Sequence, residues 1–434
     1  MNNTFKKLGL SVIGIGIAAA VAYAAGVTYD LHKSYAISDT SVNDEVAPTQ
    51  AQIQHGLYVA HAADCAACHT AQGGKPFAGG YAIGTPFGQI ESSNITSDKE
   101  TGIGNWTLAQ FDRAVRHGKG THGYLYPAMP YTAYSQMTDG DVRDLWAYMR
   151  TVAPVENRVI EDKLPFPFNQ RWLMGGWNLL FFKPQVFKAD PTKSVDYNRG
   201  AYLVEGPGHC AACHTGKNFL GGDTADFLQG GSLDGWYAPD ITPNPHAGIG
   251  TWSEADIAAY LKAGSNDKAV STGPMTEAVE NSTQYLTDAD LHAIAVYLKA
   301  QTPSTTTAPA AVSADDSAMK LGQRVYESQC IACHVSNGNG VRKMIPPFAG
   351  SSIVKASDPA TLLHMVLLGS DGPQTETNPT GAGMPRFDWK LSDDEVAAVL
   401  TYVRNSWGNA APPVSQTSAQ QARAKLGAQA WIGH

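Results

Sequence analysis

Three copies of one five-residue pattern constrain this chain more than any other feature. They are Cys65-Ala66-Ala67-Cys68-His69, Cys210-Ala211-Ala212-Cys213-His214 and Cys330-Ile331-Ala332-Cys333-His334, and they use all six cysteines of the 434-residue chain. Cys-x-x-Cys-His is the spacing for covalent c-type haem attachment: two thiols add to two vinyl groups, and the adjoining imidazole is placed beneath the iron. Two other uses of cysteine compete. An even number of cysteines in an exported chain can form disulfides, and paired cysteines with histidine can hold zinc. Zinc needs four ligands, yet each motif stands alone with no second cysteine pair in its segment, and a disulfide framework gives no reason for a histidine after every pair. The pattern therefore predicts three covalently bound haem c groups, with Cys65, Cys68, Cys210, Cys213, Cys330 and Cys333 as tethers and His69, His214 and His334 as proximal ligands.

Each such module also needs a distal ligand, typically a methionine on a later loop, because a soft thioether favours ferrous iron and raises the potential. Met129 lies in Tyr126-Pro127-Ala128-Met129-Pro130, 60 residues after His69; Met275 lies in Gly273-Pro274-Met275, 61 after His214; Met384 lies in Gly383-Met384-Pro385, 50 after His334. The prolines suit a rigid loop that cannot drift off the metal. Met137, Met149, Met344 and Met365 compete as ligands but read as core side chains. His61, His122 and His209 are weaker alternatives, read as surface or supporting groups.

The first two modules repeat beyond the cysteines. Asn94-Ile95-Thr96 and Gly102-Ile103-Gly104-Asn105-Trp106-Thr107 return as Asp240-Ile241-Thr242 and Gly248-Ile249-Gly250-Thr251-Trp252-Ser253, at an offset of 145 at the histidine and 146 at the tryptophan and methionine. A constant offset marks a duplicated domain. The third module lacks the Gly-Ile-Gly-x-Trp segment and has a shorter loop, so it belongs to another branch of the same class. Helices are predicted before each motif, at His55 to Asp64, Asn198 to Glu205 and Ala318 to Gln329. A last helix in each module opens on a hydroxyl with an acid three residues on: Thr138 with Asp141, Thr287 with Asp290, Ser392 with Glu395. Apolar residues then recur at helical spacing, as in Val142, Leu145, Trp146 and Met149. Strand signals are sparse, which predicts an all-α protein in which haem completes each core.

The remaining segments set the organisation. Lys6 and Lys7 precede an apolar run from Leu8 to Val27, with Ala22-Tyr23-Ala24 as a cleavage signal, so residues 1–27 read as a signal peptide or an uncleaved membrane anchor that places the bulk of the chain across the membrane. A polar spacer follows over 28–50, then module one over 51–155, an aromatic-rich strap over 156–194 and module two over 195–300. A Thr/Pro/Ala linker over 301–316 leads to module three over 317–409, and 410–434 reads as a polar tail. The strap carries Phe166, Phe168, Trp172, Trp177, Phe181, Phe182 and Phe187 between prolines. It reads either as packing over the first two modules or as a surface for a partner subunit or the membrane. With 31 basic against 39 acidic residues and no Lys/Arg-rich run, nucleic acid is excluded as a partner.

"AADCAACHT", "NITSDKETGIGNW", "YPAMPY" and "GAGMPRFDWKLSDDEVAAVLTYVRNSWGN" resemble the three-haem cytochrome c subunits of membrane-bound bacterial dehydrogenases, over about residues 50 to 409. That resemblance implies three tandem class I cytochrome c domains on the periplasmic face of the inner membrane. It further implies a catalytic partner subunit carrying flavin, pyrroloquinoline quinone or a molybdenum cofactor and oxidising a sugar acid, sugar, alcohol or aldehyde. A small third subunit often accompanies it, and electrons pass to ubiquinone. The residues agree as far as they reach. His/Met-ligated iron has no open position for substrate, and no dinucleotide-binding glycine fingerprint or nucleophile-base pair is present, so no catalytic residue is assigned. Two other readings are a freestanding periplasmic carrier and a haem enzyme such as a cytochrome peroxidase, which would need one five-coordinate or unusually ligated haem.

Overall fold

The computed structural model describes residues 21–31, 33, 47–160 and 162–429. The signal or anchor reading of 1–27 and the spacer over 28–50 lie largely outside them. Among the described residues no helix is long and apolar enough to cross a membrane. The chain divides into two compact units, residues 1–56 with 78–186 and residues 57–77 with 187–434. The division cuts through module one, so that its motif belongs to the second unit.

A repeated helix crossing organises the modules. The helices that lead into the motifs run over Gln50–Ala62, Val195–Glu205 and Ser317–Gln329; the closing helices run over Asp139–Met149, Asp288–Lys299 and Asp393–Arg404. At each crossing a glycine meets bare backbone. A Cβ built on Gly56 would lie 1.8 Å from Asp144 O, on Gly200 2.0 Å from Ala293 O, and on Gly322 2.1 Å from Ala398 O. The same three glycines face the Cβ atoms of Tyr148, Tyr297 and Tyr402. Only a residue without a side chain lets the helices approach this closely.

The closing helices begin as their sequences predict. Thr138, Thr287 and Ser392 accept from the amides of Asp141, Asp290 and Glu395, satisfying donors that a helix start leaves unpaired. Only Glu395 returns the bond to complete a capping box. Asp290 is engaged by Arg199 and Tyr58 instead.

The all-α expectation holds in part. Helices dominate, but antiparallel hairpins join Ala82–Thr85 to Gly88–Glu91, Lys119–Gly120 to Gly123–Tyr124, and Gly231–Leu233 to Trp236–Ala238; Asp162–Lys163 adds a third strand to the first. Strands of two to four residues are too short for a period-two signal to register, so the sequence hides them.

The connections are more ordered than their composition suggests. Residues 302–312 have no regular secondary structure, yet Ser304 is buried, its hydroxyl donates to Asp240 at 2.5 Å, and its amide donates to Thr242 Oγ1 at 3.0 Å. Asn244 Nδ2 donates to the carbonyls of Ser304 and Thr306. Module one holds its own exit by the matching device, Asn94 Nδ2 donating to Val155 O at 2.8 Å. After residue 410 the chain forms a helix over Gln416–Gln429 rather than a free tail, burying Ala419 and Leu426 in the core of module three. Its apolar residues are too few and small to stand out from a polar background.

In the first unit the strap lies partly against module one. Leu164 is buried, Tyr126 Oη donates to Phe168 O, and Tyr131 Oη donates to Asn178 Oδ1 at 2.7 Å beneath the helix Leu173–Phe181. The outer face is open: Phe166, Trp172, Leu179 and Leu180 are 50–83% exposed. The helical segment 21–31 adds to this side, because Tyr23 Oη accepts from Gly176 N, and Asp30 pairs with buried Lys119 at 2.8 Å and accepts from Tyr124 Oη. Phe187 belongs to the second unit, where its ring meets Tyr202.

Candidate haem sites

Each Cys-x-x-Cys-His motif folds as a short helical turn: Cys65–His69, Ala211–His214 following Cys210, and Ile331–His334 following Cys330. Positions i, i+3 and i+4 of a helix share one face, so both thiols and the imidazole of a motif are presented together. None of the six cysteines is paired in a disulfide, which leaves all of them to haem. Until haem is attached, burial pushes the thiols of Cys65 and Cys210 up to about 12 and that of Cys330 to about 11.

The second motif is built most completely. His214 Nδ1 donates to the carbonyl of Pro239 at 2.7 Å, which fixes the ring and turns Nε2 away as a free lone pair. Burial lowers the pKa of His214 and outweighs the opposing effect of that bond, keeping the imidazole neutral, as a metal ligand must be. In the third motif burial holds His334 at about 4, and its ring stacks on Phe348 with centroids 4.4 Å apart. Its Nδ1 is buried without a hydrogen-bond partner. Free thiol pairs beside a neutral, oriented imidazole are the donor set that covalent haem requires.

The methionines differ in setting. Met129 sits in a turn, its amide donating to Tyr126 O and its carbonyl accepting from Tyr131 N. Met275 lies in the first turn of the helix Pro274–Asn281, with Pro274 at the first helical position and Gly273 as cap, so it is held by a helix start rather than a loop. Met384 exchanges two backbone hydrogen bonds with Ser370, at 3.0 and 2.7 Å. All three are half-buried. Of the competitors, Met137 and Met149 are fully enclosed in core, while Met344 is exposed. His61 stacks on Tyr285 and bonds Asn281 O, His122 is exposed, and His209 is half-buried, with desolvation lowering its pKa to about 4.

The second unit also brings the first two motifs near one another. The turn Cys65–His69 lies against the helix Pro274–Asn281 that carries Met275. Neighbouring atoms that desolvate its sulfur, with Asp64 and Cys213 beside it, raise the pKa of the Cys68 thiol, although the residue as a whole is exposed. Asp64 itself is enclosed at a φ of 51°, with Oδ1 unpartnered, and burial beside Glu277 raises its pKa well above the carboxylate range. Sequence reasoning missed this proximity and the Pro239 carbonyl. A backbone acceptor leaves no mark in a sequence, and no motif encodes the meeting of two modules.

Three helical modules, each presenting a paired-thiol and imidazole turn, define a tandem multihaem cytochrome. The chain matches the family described as Cytochrome c over residues 53–153, 198–302 and 319–407, and it belongs to that family. It carries three covalently bound haem c groups. It is 39% identical over 406 residues to the alcohol dehydrogenase (quinone) cytochrome c subunit of Gluconacetobacter polyoxogenes, covering 89% of this chain and 87% of the relative. Against the gluconate 2-dehydrogenase cytochrome c subunit of Pantoea cypripedii the identity is 40%, covering 87% and 89%. Against the fructose dehydrogenase cytochrome subunit of Gluconobacter japonicus it is 40%, covering 86% and 82%.

Proposed function

We propose that this chain is the electron-transfer subunit of a membrane-bound, quinone-linked dehydrogenase and performs no substrate chemistry itself. The observation that carries the reading is the threefold Cys-x-x-Cys-His turn within a chain that aligns almost end to end with cytochrome c subunits of three dehydrogenases. Cys65, Cys68, Cys210, Cys213, Cys330 and Cys333 tether; His69, His214 and His334 are the proximal ligands; Met129, Met275 and Met384 are the distal ones. A His/Met-ligated haem supplies one-electron redox chemistry. The protein fixes the His214 ring through Pro239 and holds Met275 and Met384 in backbone-locked positions.

The partner in this reading is a catalytic subunit with flavin, pyrroloquinoline quinone or a molybdenum cofactor, with a small third subunit, and the electrons leave to ubiquinone at the periplasmic face of the inner membrane. Support for a fixed assembly comes from the strap, whose outer face exposes Leu179 and Leu180, since contiguous apolar surface on a soluble protein marks an interaction site. The test is to solubilise the protein from its native membrane, identify what copurifies, and follow the haem c spectrum while gluconate, fructose, ethanol and acetaldehyde are added in turn. Reduction by one of them, with a large subunit present, is the expected result; no partner and no reduction leaves a freestanding carrier.

A further inference from the structure

Trp236 joins module two to module three. It opens the second strand of the hairpin Gly231–Leu233/Trp236–Ala238, directly after Gly235 turns the chain at a φ of 80°. Its indole stacks on His364 of the helix Ala360–Leu368, with centroids 3.8 Å apart and planes inclined by 24°. The same indole covers Gly273, where a Cβ would sit 2.5 Å from Cη2 and where φ is 54°. Gly273 is the cap of the helix that Met275 enters. His364 lies on a helix ending at Gly369, next to Ser370, which pairs with Met384.

The stack is held on both sides. Tyr237 N donates to Thr361 Oγ1 at 2.8 Å, and that hydroxyl donates to Tyr237 O at 3.0 Å. His364 Nδ1 is buried without a hydrogen-bond partner, so the indole it stacks on is the contact that orients the ring. The duplicated module shows that the ring is not a requirement of the module fold. Registering Asp240-Ile241-Thr242 on Asn94-Ile95-Thr96 places Ile90 where module two has Trp236 and Pro127 where it has Gly273. Ile90 pairs across its hairpin with Ile83 and offers no aromatic face.

We infer that the Trp236–His364 stack is the electron-coupling contact between modules two and three, and that Trp236 is also a positioning residue for the turn carrying Met275; this rests on Met275 and Met384 being the iron ligands. Bound haem supplies the redox change: one ferrous iron is oxidised as one ferric iron is reduced, with no bond made or broken. Electron tunnelling decays exponentially with distance, and faster across a gap than through atoms in contact. The series from Met275 through Gly273, Trp236 and His364 to the Ser370–Met384 pair is packed or bonded at every step, and the two rings are its widest delocalised element.

The test uses the full holo-chain, in which redox titration first assigns the three haem potentials. Photoreduced deazariboflavin injects an electron, and α-band spectra follow its redistribution. Trp236→Leu and His364→Leu each slow redistribution between modules two and three by about tenfold, whereas Trp236→Phe, which keeps a ring, stays within about twofold. Redistribution at the parent rate in His364→Leu, with potentials unchanged, overturns the coupling role. That variant leaves Trp236 on Gly273, so it decides the matter even where Trp236→Leu disturbs the second site. Haem content and the low-spin spectrum are recorded for every variant. Fewer than three haems or a high-spin iron in the parent would instead overturn the ligand assignment.

Discussion

His214 Nδ1 lies 2.7 Å from the carbonyl oxygen of Pro239, so the imidazole of the second motif is aimed by main chain and cannot turn without losing a buried hydrogen bond. With that side of the iron site fixed, the opposite side is free to set the potential. Met275→Leu removes the thioether and lowers the second potential by on the order of 0.1 V, a fraction of the roughly 0.8 V that axial ligands span. Redox titration of the three haems reads this directly, and an unchanged second potential removes Met275 from the assignment.

Gly200→Ala tests the helix crossing. Its methyl would lie 2.0 Å from Ala293 O, which forces the helices apart. Overpacking at such a contact costs about 3 kcal/mol. Thermal unfolding followed by haem absorbance shows a lower midpoint for this variant, while Gly427→Ala, with nothing within 4 Å, leaves it unmoved.

Asp290 accepts a bidentate bond from Arg199 and a 2.5 Å bond from Tyr58. Burial raises its pKa, but Arg199 and Tyr58 outweigh that and hold it below the ordinary 3.8. A carboxylate depressed in the folded state contributes stability above its unfolded pKa and loses it as pH falls through the folded value. Stability of the wild type therefore drops more steeply below pH 3.8 than that of Asp290→Asn, which forfeits on the order of 1 kcal/mol at neutral pH, a figure reduced because Arg199 is partly exposed. Equal slopes in acid denaturation would show that the cluster is not linked to folding.

Asp30→Asn leaves Lys119, 3% exposed, beside a neutral amide. Removing one partner of such a pair costs about 3 kcal/mol when both are buried and less here, where Asp30 is 40% exposed. A lowered unfolding midpoint with three haems retained is the expected outcome; no change would mean that segment 21–31 does not brace module one.

Leu179→Ser with Leu180→Ser removes two exposed leucines while leaving the inner bonds of the strap alone. Recovery of the catalytic subunit or of the membrane-bound fraction falls, with haem content unchanged. Normal recovery would place the docking surface elsewhere.

Much of this was legible in the sequence because haem chemistry demands residue types at fixed spacing. Cys65, Cys68 and His69 announce themselves, and Thr287 followed by Asp290 marks a helix start at the residue where it occurs. Prolines set Met129, Met275 and Met384 apart as ligand candidates, and the structure encloses their competitors Met137 and Met149 in core. What escaped is carried by backbone or by three-dimensional meeting. The Pro239 carbonyl, the bare-backbone contact at Gly200 and the ring under Gly273 depend on which segments come together, and two-residue strands such as Lys119–Gly120 have no room for a pattern.

The stapled linker has a consequence for how this molecule comes apart. A protease needs several residues of extended, detachable chain to enter its cleft. Between modules two and three that chain is present in composition, but Ser304 and Thr306 are bonded to Asn244, and Val312 N donates to Asn405. Limited digestion is therefore confined to the exposed residues 307–311 between these anchors, and contacts such as Tyr237 with Thr361 keep the third haem with the second after that cut.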